Sequence, residues 1–312
     1  MQLKASAPGS LMLLGEYAVL AGKPALVCAI DKRITVILTP RQDEQIHIDS
    51  ALGHYTTSLS NLTIEKPFQF VLGTLQHCRP KLKYGCDLEI ISEFSEQLGL
   101  GSSAAVTVAT LIALTTWLNI RILPLDLIRQ GRQIIRQIQG TGSGADVAAA
   151  VMGGTVGYQP HPISAERFTT IYPLTAVYAG FKIPTTEAIQ RVHDAFTTMP
   201  SLLRHLQNSI GQCAQEGIQW IRQNNWEKLG NLMNIQQGLM EALGTSTPLL
   251  RHLLEALRIH PDIIGAKISG AGFGDCVIGL GSATGYTHRN RQDGVLLVPV
   301  AITLQGAQCE KI

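Results

Sequence analysis

The chain has 312 residues, 45% hydrophobic and 15% charged, with a net charge of +2 at neutral pH. That length supports a large core divided between two lobes, and a charge so close to zero leaves no footprint for nucleic acid or a membrane surface. The six cysteines, at positions 28, 78, 86, 213, 276 and 309, form no CxxC pair, which suits reduced, mostly buried thiols in a cytoplasmic protein and argues against a disulfide framework or a zinc site.

The first third reads as strand-rich. Pro8-Gly9 has the chemistry of a turn, and Leu11 to Leu14 reads as a short buried strand, interrupted by Gly15 and Glu16 and too short for a secretory signal. Glu16 and Tyr17 follow where substrate contacts are expected; a Glu16–Lys23 ion pair is the plainer reading. Residues 24–39 hold two β-branched runs broken at Asp31–Arg33, a hairpin-like pattern, and residues 84–94 alternate like a strand. From Leu98 to Ile120 no charged residue occurs, long enough to span a bilayer. Its glycines and threonines predict instead a soluble helix buried on most sides, ending near Asn119. A second helix is expected over 125–138, with Leu127, Ile128, Ile134, Ile135 and Ile138 on one face. Past about residue 185, leucine stripes such as Leu202, Leu206, Ile210 and Cys213 predict packed helices, and strands return after Pro261. The plan is an α+β lobe over 1–170 and an α/β lobe over 171–312.

Four stretches can carry chemistry. In GLGSSAA, 99–105, glycines open an apolar helix and leave backbone N–H groups unpaired at its positive end. That makes an anion site suited to phosphate, and Ser102 and Ser103 add hydroxyls for Mg²⁺ or a phosphate oxygen. The plainer reading is an N-cap on a tight turn, and GxxxxGK[ST] is absent. In GTGSGADVAAA, 140–150, Asp146 follows a glycine turn as a candidate general base or as a complement to a helix dipole. SAPGSLMLLGEYAVLAGKPAL, 6–26, is the third stretch, and ISGAGFGDC, 268–276, is the fourth. So much glycine implies unusual torsions or close approach of something to the backbone.

In this order and at this separation the four stretches resemble the GHMP kinase superfamily, and within it the mevalonate-pathway kinases, over residues 5 to 280. The resemblance implies an α+β two-lobe GHMP kinase fold, with a ribosomal-S5-like N-terminal lobe, a ferredoxin-like C-terminal lobe and an active site between them that uses ATP and Mg²⁺. It implies that Gly99, Leu100, Gly101, Ser102, Ser103 and Ala104 form the ATP phosphate loop, with Ser103 also directed at the metal. It makes Asp146 and Ser10 the catalytic positions. Glu16, Tyr17, Lys23, Ser143, Gly144, Ser269, Gly270, Ala271 and Gly272 become the substrate side, with the loop-bearing helix mouth facing Asp146 across a cleft.

Three departures matter. Ser10 stands where the family carries lysine, Ile135 where mevalonate kinases carry a Mg²⁺-binding glutamate, and Phe273 where glycine is usual. Lys4, Lys23 or Lys267 is expected to restore the missing positive charge. Tyr17, the Asp146-Val147 pair and the GDC ending resemble phosphomevalonate kinases, while the short chain and the compact LAGKPAL turn resemble mevalonate kinases. The balance favours 5-phosphomevalonate, whose acceptor phosphate is already ionised and needs less of a base; mevalonate is the alternative. A non-catalytic nucleotide or metabolite sensor is the reading of another class, and a GHMP sugar kinase is disfavoured by GEYAVLAGKPAL. Expected partners are the small-molecule substrate, no nucleic acid and no membrane, and a homodimer is compatible. Adenine contacts are expected on loops around 50–80.

Overall fold

Two long strands organise the first part of the chain. β1 (Leu3–Leu14) and β2 (Ala25–Pro40) pair antiparallel along nearly their whole length, at the centre of an eight-stranded sheet. The computed structural model describes residues 2–283 and 294–312. After β2 come β3 (Gln45–Ser50), β4 (Gly53–Ser58), α1 (Gln69–Cys78) and β5 (Cys86–Ser92), which inserts between β2 and β3. Helices α2 (Ser102–Trp117), α3 (Pro124–Gln139) and α4 (Ala145–Met152) follow. α2 and α4 pack on β1 and β2, with α1 and α3 outside them. The hairpin of β6 (Thr155–Pro160) and β7 (Ile163–Phe168) joins the first half of β2.

The second sheet starts with β8 (Leu174–Tyr178), followed by α5 (Thr185–Ala195), α6 (Pro200–Arg222), α7 (Trp226–Ala242) and α8 (Pro248–Arg258). β9 (Gly265–Ser269), β10 (Cys276–Leu280) and β11 (Leu296–Val298) complete it in the antiparallel order β11-β8-β10-β9. β12 (Gln308–Lys311) then returns to the first sheet and pairs with β1. The result is a two-lobe α+β arrangement. No described helix is long and apolar enough to cross a membrane.

Two sequence readings change here. Residues 24–39 are no hairpin: β2 runs straight through Asp31–Arg33. Its polar run is satisfied from far along the chain, because Asp31 exchanges hydrogen bonds with Ala301, and the Arg33 guanidinium donates to Ser6, Gln305 and Gly306. Nor is Pro8-Gly9 a turn. β1 continues through it with a register shift between Pro8 and Ser10, the signature of a bulge. The helical stripes are packed as expected except at Leu202, which stays exposed.

β1 faces two cores. Leu3, Ala5, Ala7 and Met12 lie in the core beneath α1–α4, whereas Leu11, Leu13 and Leu14 join one that also holds Ala176, Ile278 and Leu280 of the second sheet. Leu14 is fully buried there and packs into the space left by Gly217 of α6. Removing its branched end leaves a cavity that such packing cannot close. Leu14→Ala is expected to lower the unfolding free energy by about 2–5 kcal/mol in urea titration, and a loss below about 1 kcal/mol would contradict this packing.

Candidate active site

α2 begins without a side-chain cap. Its N-cap is Gly101, at φ 70°, and the amides of Ser102 and Ser103 have no acceptor among the described residues. Sixteen residues of helix stand behind those amides, so their positive end is open to an anion. Close packing against β1 holds the loop in place: Ser10 N–H donates to Leu100 O at 3.0 Å, and a Cβ on Gly9 would stand 2.6 Å from the same oxygen. A Cβ on Gly101 would run into the Ser10 hydroxyl. Glycine is therefore required on both sides of this contact. The Leu100 side chain turns inward to the core between the sheets.

Asp146 lies in the first turn of α4, after Gly144 at φ 91°. The Ser10 hydroxyl donates to Asp146 Oδ1 at 2.8 Å, and Oδ2 has no side-chain partner among the described residues. The carboxyl is half-buried and faces a cavity of about 150 Å³, whose walls include Ser103, Ala104, Ser143, Gly144, Thr185, Gly270 and Ala271. Burial pushes its pKa up, opposed by the Ser10 hydrogen bond and then by the positive charge of Lys182. A carboxylate that is crowded by protein, oriented through one oxygen and open at the other, is suited to taking a proton from a bound hydroxyl. Ser103, whose amide is open, and Asp146 thus line one cavity.

The remaining expected residues divide into two groups. Glu16 lines the cavity but pairs with the fully buried Lys267, not with Lys23, and accepts further hydrogen bonds from Gln236 and from Gly270 N–H at 3.3 Å. Gln236 in turn accepts from Gly15 N–H at 2.9 Å. Tyr17, at φ 60°, donates its hydroxyl to Ala271 O at 2.5 Å, and burial holds its pKa far above the usual phenol range. These contacts tie the end of β1 to the loop after β9. Ser269 and Gly272 do not face the cavity. The Ser269 hydroxyl accepts from Met12 N–H at 3.0 Å, and Gly272, at φ 78°, packs on Thr245. Lys23 lies outside as well, its stem against Gly211 of α6.

None of the three lysines expected to replace the family's lysine is available. Lys4 is exposed and sits beside Glu310 at 3.7 Å, Lys23 packs on α6, and Lys267 is committed to Glu16. Burial lowers the Lys267 pKa and the Glu16 carboxylate opposes that, so the ammonium depends on its partner. Sequence reasoning missed two residues. Asp275, at φ 63°, is buried with its Oδ1 unpartnered, and the Cβ position of Gly99 lies 2.9 Å from its carboxyl. Burial raises its pKa to about 6, again with Lys182 opposing. Lys182 itself, on the loop before α5, offered no signal beyond a single lysine between Phe181 and Ile183.

A second cavity, of about 500 Å³, opens on the other side of Ser102 and Ser103. Leu52, Pro67, Phe68, Phe70, Val71 and Phe94 supply its apolar walls. An apolar slot meeting uncapped amides and free hydroxyls suits a flat heterocycle carrying a phosphate chain. For a divalent cation the first cavity offers the Ser103 hydroxyl and the Asp146 carboxylate among its oxygen donors, and Ile135 on its wall adds none. That donor set fits Mg²⁺, which takes few protein ligands and completes its shell with phosphate oxygens and water.

Known proteins resemble the chain throughout. The family model for the GHMP kinases N terminal domain matches residues 69–154, and that for the GHMP kinases C terminal matches residues 218–291. Mevalonate kinase from Pyrococcus furiosus is 32% identical over 300 residues, covering 90% of this chain and 89% of that protein. The structure of Methanococcus jannaschii mevalonate kinase aligns with a TM-score of 0.79 at 23% identity, covering 96% of this chain and 98% of that one. Streptococcus pneumoniae phosphomevalonate kinase, in complex with phosphomevalonate and AMPPNP, aligns with a TM-score of 0.77 at 20% identity, covering 96% and 99%. At such identities the two structural likenesses speak to the fold alone.

The buried ion pair makes its own prediction. Removing one partner strands the other charge in the interior, so Lys267→Met is expected to cost about 3–5 kcal/mol of stability by urea unfolding. A second change, Glu16→Leu, removes the stranded charge and should recover much of that loss. A single variant as stable as the parent would show that the pair is not desolvated.

Proposed function

Since the chain belongs to the GHMP kinase family and is an ATP-dependent phosphotransferase of the mevalonate-pathway group, we propose that it transfers the γ-phosphoryl group of ATP to the 5-hydroxyl of mevalonate. One observation carries the choice of acceptor: among the described residues, the walls of the cavity holding Asp146 include no lysine, arginine or histidine. A second phosphate on the acceptor would enter that cavity as a dianion with no cation in the described walls to meet it, since Lys182 lines only the adjoining cavity on the side of the phosphate loop. Mevalonate brings its hydroxyl to Asp146 without that charge. Two of the features that resembled a phosphomevalonate kinase have duties inside the protein, Tyr17 as a clip on Ala271 and Asp275 as a wall of the loop at Gly99.

The purine sits in the apolar slot beside Phe68 and Phe94, and the polyphosphate lies on the amides of Ser102 and Ser103. The Ser103 hydroxyl and the Asp146 carboxylate would hold Mg²⁺, which would supply charge neutralisation for the phosphates. Asp146 Oδ2 accepts the proton as the mevalonate oxygen forms its bond to the γ-phosphorus. The bond from that phosphorus to the β-phosphate oxygen breaks, and ADP leaves with the electron pair. Ser10 positions the base by holding Oδ1. Burial raises the pKa of this base, and the Ser10 hydrogen bond and the Lys182 charge oppose that rise.

ADP release measured with mevalonate, 5-phosphomevalonate, homoserine and a sugar panel tests the acceptor. Mevalonate should be favoured in kcat/KM by about a hundredfold or more, and a preference for 5-phosphomevalonate would overturn the choice. Asp146→Asn should lower kcat by about a hundredfold or more while ADP binding changes little. An equal loss in both would move Asp146 out of the chemistry and into the nucleotide site.

A further inference from the structure

Phosphoryl transfer spreads negative charge over three oxygens, and a site without a facing cation leaves that charge unneutralised. Ser10 cannot supply one, and the lysines at 4, 23 and 267 are all directed elsewhere. The loop between β8 and α5 does offer a cation. Its backbone is clamped to the third glycine stretch: Asp275 N–H donates to Phe181 O at 3.0 Å, and a Cβ on Gly274 would stand 2.8 Å from that oxygen. Gly180, at φ 87°, lies against Gly294. Lys182 projects from this clamp as an exposed side chain with no carboxylate partner among the described residues, and its ammonium donates to Glu96 O at 3.1 Å, in the turn that leads into the phosphate loop. It lines one cavity with Ser102, Ser103, Gln139 and Thr185. Lys66 is the other described basic side chain there, but among the described residues Lys182 is the cation whose charge acts on Asp146 and Asp275.

From this placement we infer that Lys182 takes over the work of the missing lysine at position 10, approaching from the opposite lobe to face the phosphoryl group in transit beside Asp146. The inference rests on the kinase reading above. A carbonyl is a weak hold for an ammonium, so the side chain is free to exchange Glu96 O for a phosphate oxygen once nucleotide is bound. A lysine at position 10 would be fixed on the strand under the phosphate loop. Lys182 instead belongs to the loop after β8, so its position follows the packing of the two lobes.

The test compares Lys182→Met, Lys182→Arg, the double variant Lys182→Met with Ser10→Lys, and Asp146→Asn. Lys182→Met should lose about a hundredfold or more in kcat while ADP affinity stays within about threefold of the parent. The arginine variant should keep most of the activity, and Ser10→Lys should restore at least about tenfold in the methionine background. A methionine variant within about threefold of the parent in kcat overturns the inference. If Asp146→Asn is then also fully active, the kinase assignment of the cavity falls; if Asp146→Asn alone is impaired, only the lysine assignment falls.

Discussion

The backbone of β1 and the glycine loop before α2 lie against each other with no side chain between them, and the geometry of the site follows from that contact. Ser10 uses its amide on Leu100 O and its hydroxyl on Asp146 Oδ1. One residue thereby sets the spacing between the open amides of α2 and the carboxylate of α4. Gly9 and Gly101 are what allow it, since a Cβ at either position would push the loop off the strand. Had the family's lysine occupied position 10, its charge would have stood directly on this contact. With serine there, the contact carries only orientation, and positive charge has to come from another element.

Charge inside the molecule is divided by location. The one lysine within the core, Lys267, is neutralised by Glu16, and the pair draws in Gln236 and the Gly270 amide. This assembly joins β1, α7 and β9, and its cost in desolvation is offset only because every partner is present. Such a cation cannot turn toward a substrate without stranding a carboxylate. A lysine that serves bound phosphate must therefore sit at the rim, solvated and lightly held, as Lys182 does.

Much of the framework was legible in the sequence for local reasons. The uncharged run after GLGSS marked α2, and the apolar face over 125–138 marked α3, because helix period and glycine punctuation act within a few residues. Both misread segments depended on distant partners. Pro8-Gly9 looked like a turn until Leu100 came to lie on it, and Asp31–Arg33 looked like a break until residues 301–306 satisfied its polar groups. The same distinction separates Asp146 from Lys182 and Asp275. Asp146 is announced by its glycine turn, whereas the other two acquire their position only when the loop after β8 meets the loop after β9. Lys23 shows the converse, since it stands within a telling motif and its side chain points the wrong way for it.

The last strand has a consequence for how the molecule is made. β12 covers the outer edge of β1, pairing Gln308 with Ser6 across about 300 residues of chain. At a synthesis rate of roughly 5–20 residues per second, that edge stays bare for about fifteen seconds to a minute on the ribosome. An uncovered strand edge is a template for pairing with other chains, so the nascent protein passes through a vulnerable interval that lasts until β12 is made.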